Sequence, residues 1–176
     1  MEPMPLSEVY RHIEPGPVVL MTTRYRGRPN VMTMSWHMMM EFTPPTIACL
    51  VSSGDYSFKG LKRSRECVIA IPGAEMARTT VGIGNCTGAD EDKFDRFGLT
   101  AIAASAVSPP LIGECFVNIE CKVVDTTLVN RYNLFVLEAV AAWRTEDADD
   151  RKTIHHRGYG RFAVDGEIVK LPSAMP

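Results

Sequence analysis

Apolar and polar residues alternate with period two in several short runs of the chain, while periods near 3.6 are confined to brief segments. The plainest run is 114–123. There Cys115, Val117, Ile119, Cys121 and Val123 alternate with Glu114, Asn118, Glu120 and Lys122, the pattern of an antiparallel strand with one face in the core. Residues 18–25 are β-branched and apolar, and Arg26-Gly27-Arg28-Pro29 after them reads as a hairpin turn into a strand that starts at Asn30. From Val31 onward, Val31, Thr33, Ser35 and His37 alternate with Met32, Met34, Trp36 and Met38. This predicts one strand with a small, polar-edged face and a bulky, polarizable one. Thr43-Pro44-Pro45 makes a corner that cannot continue a ladder, and 47–51 and 66–71 follow as nearly continuous apolar strands. The segment 128–143 is apolar at both parities, so a strand there needs cover on both faces, from a helix or a second subunit. Residues 161–170 read as a hairpin around Asp165-Gly166.

Helical signals are short. Residues 6–13 form one, with Ser7 placed as N-cap and Pro15-Gly16-Pro17 as the stop. Residues 57–64 and 74–82 form two more. A fourth, 90–97, carries acidic residues in its first turn and ends at Gly98. Many strands and few, brief helices predict a mostly β, antiparallel barrel with short peripheral helices. Nothing divides residues 1–176 into more than one domain, and 176 residues suffice to bury a sizeable core.

Two places in this frame carry chemistry. Small residues around Thr33 and Ser35 let a flat ligand, such as a flavin ring, approach the backbone, whose N–H and C=O groups can bond to its polar rim. Further on, Ser52, Ser53, Gly54 and Asp55 precede a helix opened by Ser57 and carrying Lys59. Hydroxyls beside a helix N-terminus favour a phosphate through hydrogen bonds and the helix dipole. The glycine-rich segment Gly82-Ile83-Gly84-Asn85-Cys86-Thr87-Gly88 is a third place where backbone can touch a ligand. Its spacing does not fit a dinucleotide fold, because the third glycine is misplaced and no strand-turn-helix surrounds it.

Composition narrows the partners. A formal net charge of -2 gives no basic excess for nucleic acid, no run approaches the ~20 apolar residues of a membrane span, and the first residues lack a signal-peptide pattern, so a cytoplasmic protein is expected. Of the five cysteines, Cys49, Cys67, Cys115 and Cys121 lie in apolar runs and read as small buried hydrophobes. Cys86 alone sits in the glycine-rich segment, where a thiol-redox role would lack a partner cysteine nearby. The four histidines do not have metal-ligand spacing.

Taken together, Asn30-Val31-Met32-Thr33-Met34-Ser35-Trp36, Pro44-Pro45, Ser57-Phe58-Lys59, the segment ending Asp92-Lys93-Phe94, the run 109–114 (PPLIGE) and Asn118-Ile119-Glu120-Cys121 resemble the flavin-reductase-like, flavoredoxin-type FMN-binding split-barrel family. The resemblance covers about residues 15 to 165. It implies a six-stranded split barrel that forms a homodimer and holds FMN noncovalently at the subunit interface. Carried onto matching positions, Thr33, Met34, Ser35 and Trp36 would border the isoalloxazine. Ser52, Ser53, Ser57 and Lys59 would hold the phosphate, and Asn85, Cys86 and Thr87 would approach the cofactor. The implied function is an FMN-dependent oxidoreductase reduced by NAD(P)H or by a redox partner protein, and the alternative is a flavin-binding carrier or sensor. The chain departs from the pattern where family members that oxidise nicotinamide carry an Asp-His pair. Here the residues are Arg131 and Tyr132, with Leu137 in place of a glycine. A tyrosine cannot carry an imidazole's charge, so direct NAD(P)H oxidation loses support while FMN binding does not.

Overall fold

β2 (Val19–Tyr25) and β3 (Arg28–Met34) form the expected hairpin, paired in register from Val19 with Met34 to Tyr25 with Arg28. Arg26 and Gly27 turn it in left-handed conformation. In this computed structural model, which describes residues 1–173, a short β1 (Glu2–Pro3) and α1 (Tyr10–Ile13) precede that hairpin, and β4 (His37–Phe42) and β5 (Pro45–Leu50) follow it. The chain then runs through α2 (Tyr56–Ser64), β6 (Glu66–Ile71), α3 (Ala77–Gly84), α4 (Lys93–Phe97), β7 (Ala101–Ile102), β8 (Leu111–Ile112) and β9 (Val117–Asp125). α5 (Val129–Tyr132), β10 (Leu134–Arg144), β11 (Ile154–His156) and β12 (Phe162–Val164) complete it.

The main sheet is antiparallel in the order β3-β2-β6-β9-β10-β5-β4, with β1 added to β10. Its two outermost strands, β3 and β4, are joined by only Ser35 and Trp36. A link of two residues spans no more than about 10 Å, so the sheet must curl until its ends meet. Because β3 and β4 do not pair with each other, the barrel stays split. Counting β3 and β4 as one bent strand, six long stretches of chain make up its wall, as expected. The bend itself corrects the expectation of an unbroken strand through Met38, for the chain changes edges at Ser35-Trp36.

Inside the curl lies the core: Val19 and Met21, Ile47 and Cys49, Cys67 and Ile69, Ile119 and Cys121, Phe135 and Leu137. A second cluster, with Leu20, Val31 and Ala70 facing Ile83, Phe94 and Ile112, sits on the outer face of β2, β3 and β6 beneath α3 and α4. Strands covered on both faces read as continuous apolar runs, which is why 66–71 shows no alternation. Cys67 and Cys121 stand opposite each other in the β6–β9 ladder, and their mutual hydrogen bond together with burial pushes the Cys67 thiol well up. Cys49 and Cys115 are likewise buried and raised by desolvation.

Local differences from the sequence reading have local causes. Residues 6–13 are not one Ser7-capped helix. Leu6–Glu8 is a 3-10 turn entered from extended Pro5, with no side-chain cap, and α1 is a single turn. Pro45 enters the β5 ladder opposite Phe42, so the proline corner is a tight turn of the β4–β5 hairpin. The first part of 128–143 is helical, because Asn133 (φ 58) ends α5 in left-handed conformation before β10 begins. The final hairpin turns at 157–161, where Gly158, Tyr159 and Gly160 all take positive φ, and β12 pairs back onto β11. Asp165 cannot then be a turn residue: its carboxylate is fixed by Thr153 and His155. No helix among the described residues is long and apolar enough to cross a membrane.

Two half-buried histidines each hold one buried ring nitrogen that has no partner among the described residues. His37 bonds through Nε2 to the Pro17 carbonyl (2.7 Å) and leaves Nδ1 without a partner, and His12 leaves Nε2 without one. Burial lowers both pKa values, helped at His12 by the Arg11 charge and opposed at His37 by the Pro17 carbonyl. Groups whose protonation is disfavoured in the native state bind protons first in the unfolded chain, so their contribution is complete above about pH 6.5 and is lost as pH falls below it. We expect the melting temperature to fall between about pH 7.5 and pH 5.5, a window above the carboxylate range, and His37→Gln to flatten that fall. An equally steep fall in the variant would assign it to other groups.

Candidate functional site

β3 ends the sheet, so its outward N–H and C=O groups have no ladder partner. Facing that edge are the turn into α2 and the end of α5, and between them lies a hollow of about 380 Å³ lined by Met32 to Trp36, Ser52, Tyr132 and Asn133. A second hollow, about 160 Å³, shares Met32, Thr33 and Asp55 with the first and runs beneath the start of α2 and the loop after α3, over Asn30, Ser57, Gly88 and Lys93. A third, about 200 Å³, opens on the other side of Thr33 and Ser35 toward Asn85, His156 and Phe162. The three form one groove along β3, wide at the Trp36 end and narrow at the Lys93 end.

Most residues singled out in the sequence lie along it. Thr33 borders all three hollows, with its hydroxyl spent on the Thr80 carbonyl. Met34 contributes backbone, since its side chain is buried in the barrel. Ser35 borders the first and third hollows, and Trp36 stands in the first with 68% of its surface exposed. Ser52 borders the first, with its hydroxyl accepting from Gly54 N–H (3.3 Å). Ser57, Cys86 and Thr87 border the second, and Asn85 the third. Ser53 and Lys59 line none of the three: both face solvent, Lys59 on the outer face of α2.

The narrow end is built from buried polar groups. Lys93, only 5% exposed, is carried into the hollow by α4, whose first turn is fixed by the Asp92 carboxylate accepting from Phe94 and Asp95 N–H. Its Nζ donates to the Ile83 carbonyl (2.8 Å), and it has no ion-pair partner among the described residues. Desolvation lowers its pKa, partly offset by Cys86, Glu91 and Asp55. Opposite, Asn30 Nδ2 donates to Ser57 Oγ (2.8 Å), and Asn30 Oδ1 is buried with no donor. Gly88 lies against that amide: a Cβ there would come within 1.9 Å of Asn30 Oδ1. A lone buried cation, an orphaned acceptor and a helix N-terminus therefore converge on one small space, an arrangement suited to an anion flanked by hydroxyl groups.

Ser57 thus works within the fold as well as at the groove. Ser57→Ala should destabilise the ligand-free protein by about 1–3 kcal/mol, because the Asn30 amide is left buried without its acceptor. Chemical denaturation measures it, and unchanged stability would show that the bond contributes nothing.

Sequence reasoning passed over Asn30, Gly88, Lys93 and Asn133 as site residues. Only Lys93 carried a signal: an Asp N-cap places the next residue in the first helical turn, and a lysine before Phe94 is carried inward with it. Among the described residues no cluster of three or more His, Cys, Asp or Glu side chains is arranged to hold a metal ion.

Residues 10–163 match the family described as flavin reductase like domain. The uncharacterized protein YddH of Escherichia coli (strain K12) is 30% identical, over 95% of this chain and 96% of its own. Among solved structures, an FMN-binding domain of a flavin reductases-like enzyme from Shewanella baltica OS155 superposes with a TM-score of 0.89 at 23% identity, covering 97% of each chain. Flavoredoxin of Desulfovibrio vulgaris (Miyazaki F) does so with 0.82 at 25% identity, covering 90% of this chain and 91% of its own.

Proposed function

The chain belongs to the flavin reductase-like domain family, and from that premise we propose that the groove along β3 binds FMN and that the protein moves electrons through it. What carries the reading is the convergence of buried Lys93, the α2 N-terminus and the orphaned Asn30 acceptor at one end of a groove whose other end is flat and edged by free backbone. The Lys93 ammonium and the amides opening α2 would hold the phosphate, and Asn30 Oδ1 would accept from a ribityl hydroxyl. Thr33, Ser35 and Trp36 would lie along the ring. Bound FMN supplies the redox chemistry itself. The protein's part is to place the ring, to offer β3 backbone N–H groups to its polar edge, and to restrict water on the β3 side.

Tyr132 and Asn133 close the wide end, and the Arg131 guanidinium lies 5.0 Å from the centre of the Tyr132 ring. With no histidine there, the reading favours electron exchange with another protein over direct oxidation of a nicotinamide. A second copy of the chain belongs on the outer face of β4, β5 and β10, where Met38 and Met40 are half exposed beside Val136 and Leu50, next to the groove.

Purified protein given FMN and desalted should retain a flavin band near ~450 nm; a colourless protein refutes the proposal. Anaerobic addition of NADH and of NADPH then separates the two electron sources. Little or no bleaching is expected, and rapid bleaching would make the protein a nicotinamide-dependent reductase.

A further inference from the structure

Six exposed cations that enter no ion pair among the described residues lie on three adjoining elements. Arg11, Arg96, Arg144 and Arg151 are each paired with carboxylates. By contrast Lys59, Lys62 and Arg63 project from one exposed face of α2 at i, i+3 and i+4 spacing, and none of them forms an ion pair among the described residues. α5 adjoins that face through Lys62 Nζ and Asn130 Oδ1 (3.2 Å), which brings Arg131 beside it. On its other flank α2 packs against the end of β2, where Gly60 lies so close that a Cβ would be 3.2 Å from Thr23, and the hairpin just beyond carries exposed Arg26 and Arg28. The nearby carboxylates are engaged with backbone: Asp55 accepts from Ser52 N–H, Glu66 from Ser108 N–H and Asp125 from Thr127 N–H. Asp55, Glu66 and Asp125 keep their charge, yet the six cations outnumber them, so a chain of formal net charge -2 presents a net positive face here.

This face rims the groove. Asp55, just before α2, and Tyr132, just after Arg131, both line it. We propose that the face formed by α2, α5 and the β2–β3 turn is the docking surface for a small acidic electron-transfer protein, which it seats over the open end of the groove. The inference rests on the reading that the groove holds a flavin. Its breadth argues for a protein partner. α2 alone is about 13 Å long, and the six cations lie on three elements and stand in solvent, whereas the pyrophosphate of a dinucleotide needs donors converging in a cleft. Opposed charge fields of this kind steer encounter and fix orientation, and salt weakens them.

A plant-type [2Fe–2S] ferredoxin, small and strongly acidic, serves as probe. It should bind the FMN-loaded wild-type protein at about 20 mM salt and lose affinity at least tenfold by about 200 mM, as expected of solvent-exposed charges. The Lys62→Glu/Arg63→Glu variant should bind at least tenfold more weakly at low salt, while Arg78→Glu on α3 leaves affinity unchanged. The flavin band, read in every sample, reports the cofactor separately, so its absence from the wild type would fault the flavin reading and not the docking measurement. Wild-type binding that is absent or indifferent to salt overturns the inference. Equal binding by the double variant does the same, as does a loss of NADPH affinity in that variant with ferredoxin binding unchanged, for the cations would then serve a dinucleotide.

Discussion

Lys93→Ala is expected to weaken FMN binding by about 2–3 kcal/mol, roughly 30- to 150-fold in Kd, the cost of removing a charge-assisted hydrogen bond. The ammonium has three protons and gives one to the Ile83 carbonyl. The others face a hollow whose one lining carboxylate, Asp55, forms no ion pair with Lys93, so a phosphate bound there would be the anion Lys93 meets at hydrogen-bonding range. Burial already holds its pKa below the usual lysine range, and a bound dianion would raise it again. Linkage then requires proton uptake on binding at alkaline pH. Affinity should therefore fall as pH rises through the lowered pKa of the free protein, earlier than for a solvent-exposed lysine. The substitution also strips the Ile83 carbonyl of its donor, so the melting temperature of cofactor-free protein must be followed beside Kd. Fluorescence titration with FMN at several pH values gives the answer. A variant that melts like wild type and binds FMN equally well would place the phosphate elsewhere.

Gly88→Ala should be the most damaging single methyl group in the chain. The new Cβ would sit 1.9 Å from Asn30 Oδ1, 2.7 Å from its Cγ and 3.0 Å from the Tyr56 ring. Asn30 cannot retreat, because it is buried and tied to Ser57, and that tie joins β3 to α2. Overpacking of about 1–3 kcal/mol combines with loss of the Asn30–Ser57 bond, so we expect lower stability together with loss of FMN retention. Gly166→Ala has nothing within 4 Å of its Cβ and should be neutral. Adding Asn30→Ala to Gly88→Ala removes the colliding amide, so the pair should be more stable than the sum of the two single losses predicts. Strict additivity in denaturant unfolding would mean that the clash is relieved by another route.

Both predictions depend on contacts that no single stretch of sequence displays. Asn30 and Gly88 are 58 positions apart, and they meet only because α2 and the loop after α3 cover the same edge of β3. Trp36 shows the same limit. Its place in an alternating run read as part of one strand, yet it is the link by which the chain passes from one end of the sheet to the other, and it stands in solvent beside the groove. Ser53 and Lys59 stand close to Ser57 in sequence but not at the groove. A helix start turns successive residues about 100° apart, so Ser57 goes inward while Lys59 faces water.

What the sequence determined by itself was the kind of structure and the part of it that matters. Period-two alternation, turn residues and apolar runs are local consequences of strand geometry, and they fixed a mostly β chain, its hairpins and the stretch 30–57 as the place to look. Tertiary structure decided the rest: that the sheet curls until β3 and β4 lie at its open seam, that Lys93 rather than Lys59 is buried at the groove, and that the basic residues of α2, α5 and the β2–β3 turn share one face. Those outcomes depend on which distant segments cover one another, and burial, unlike periodicity, belongs to the packed molecule and not to any one segment.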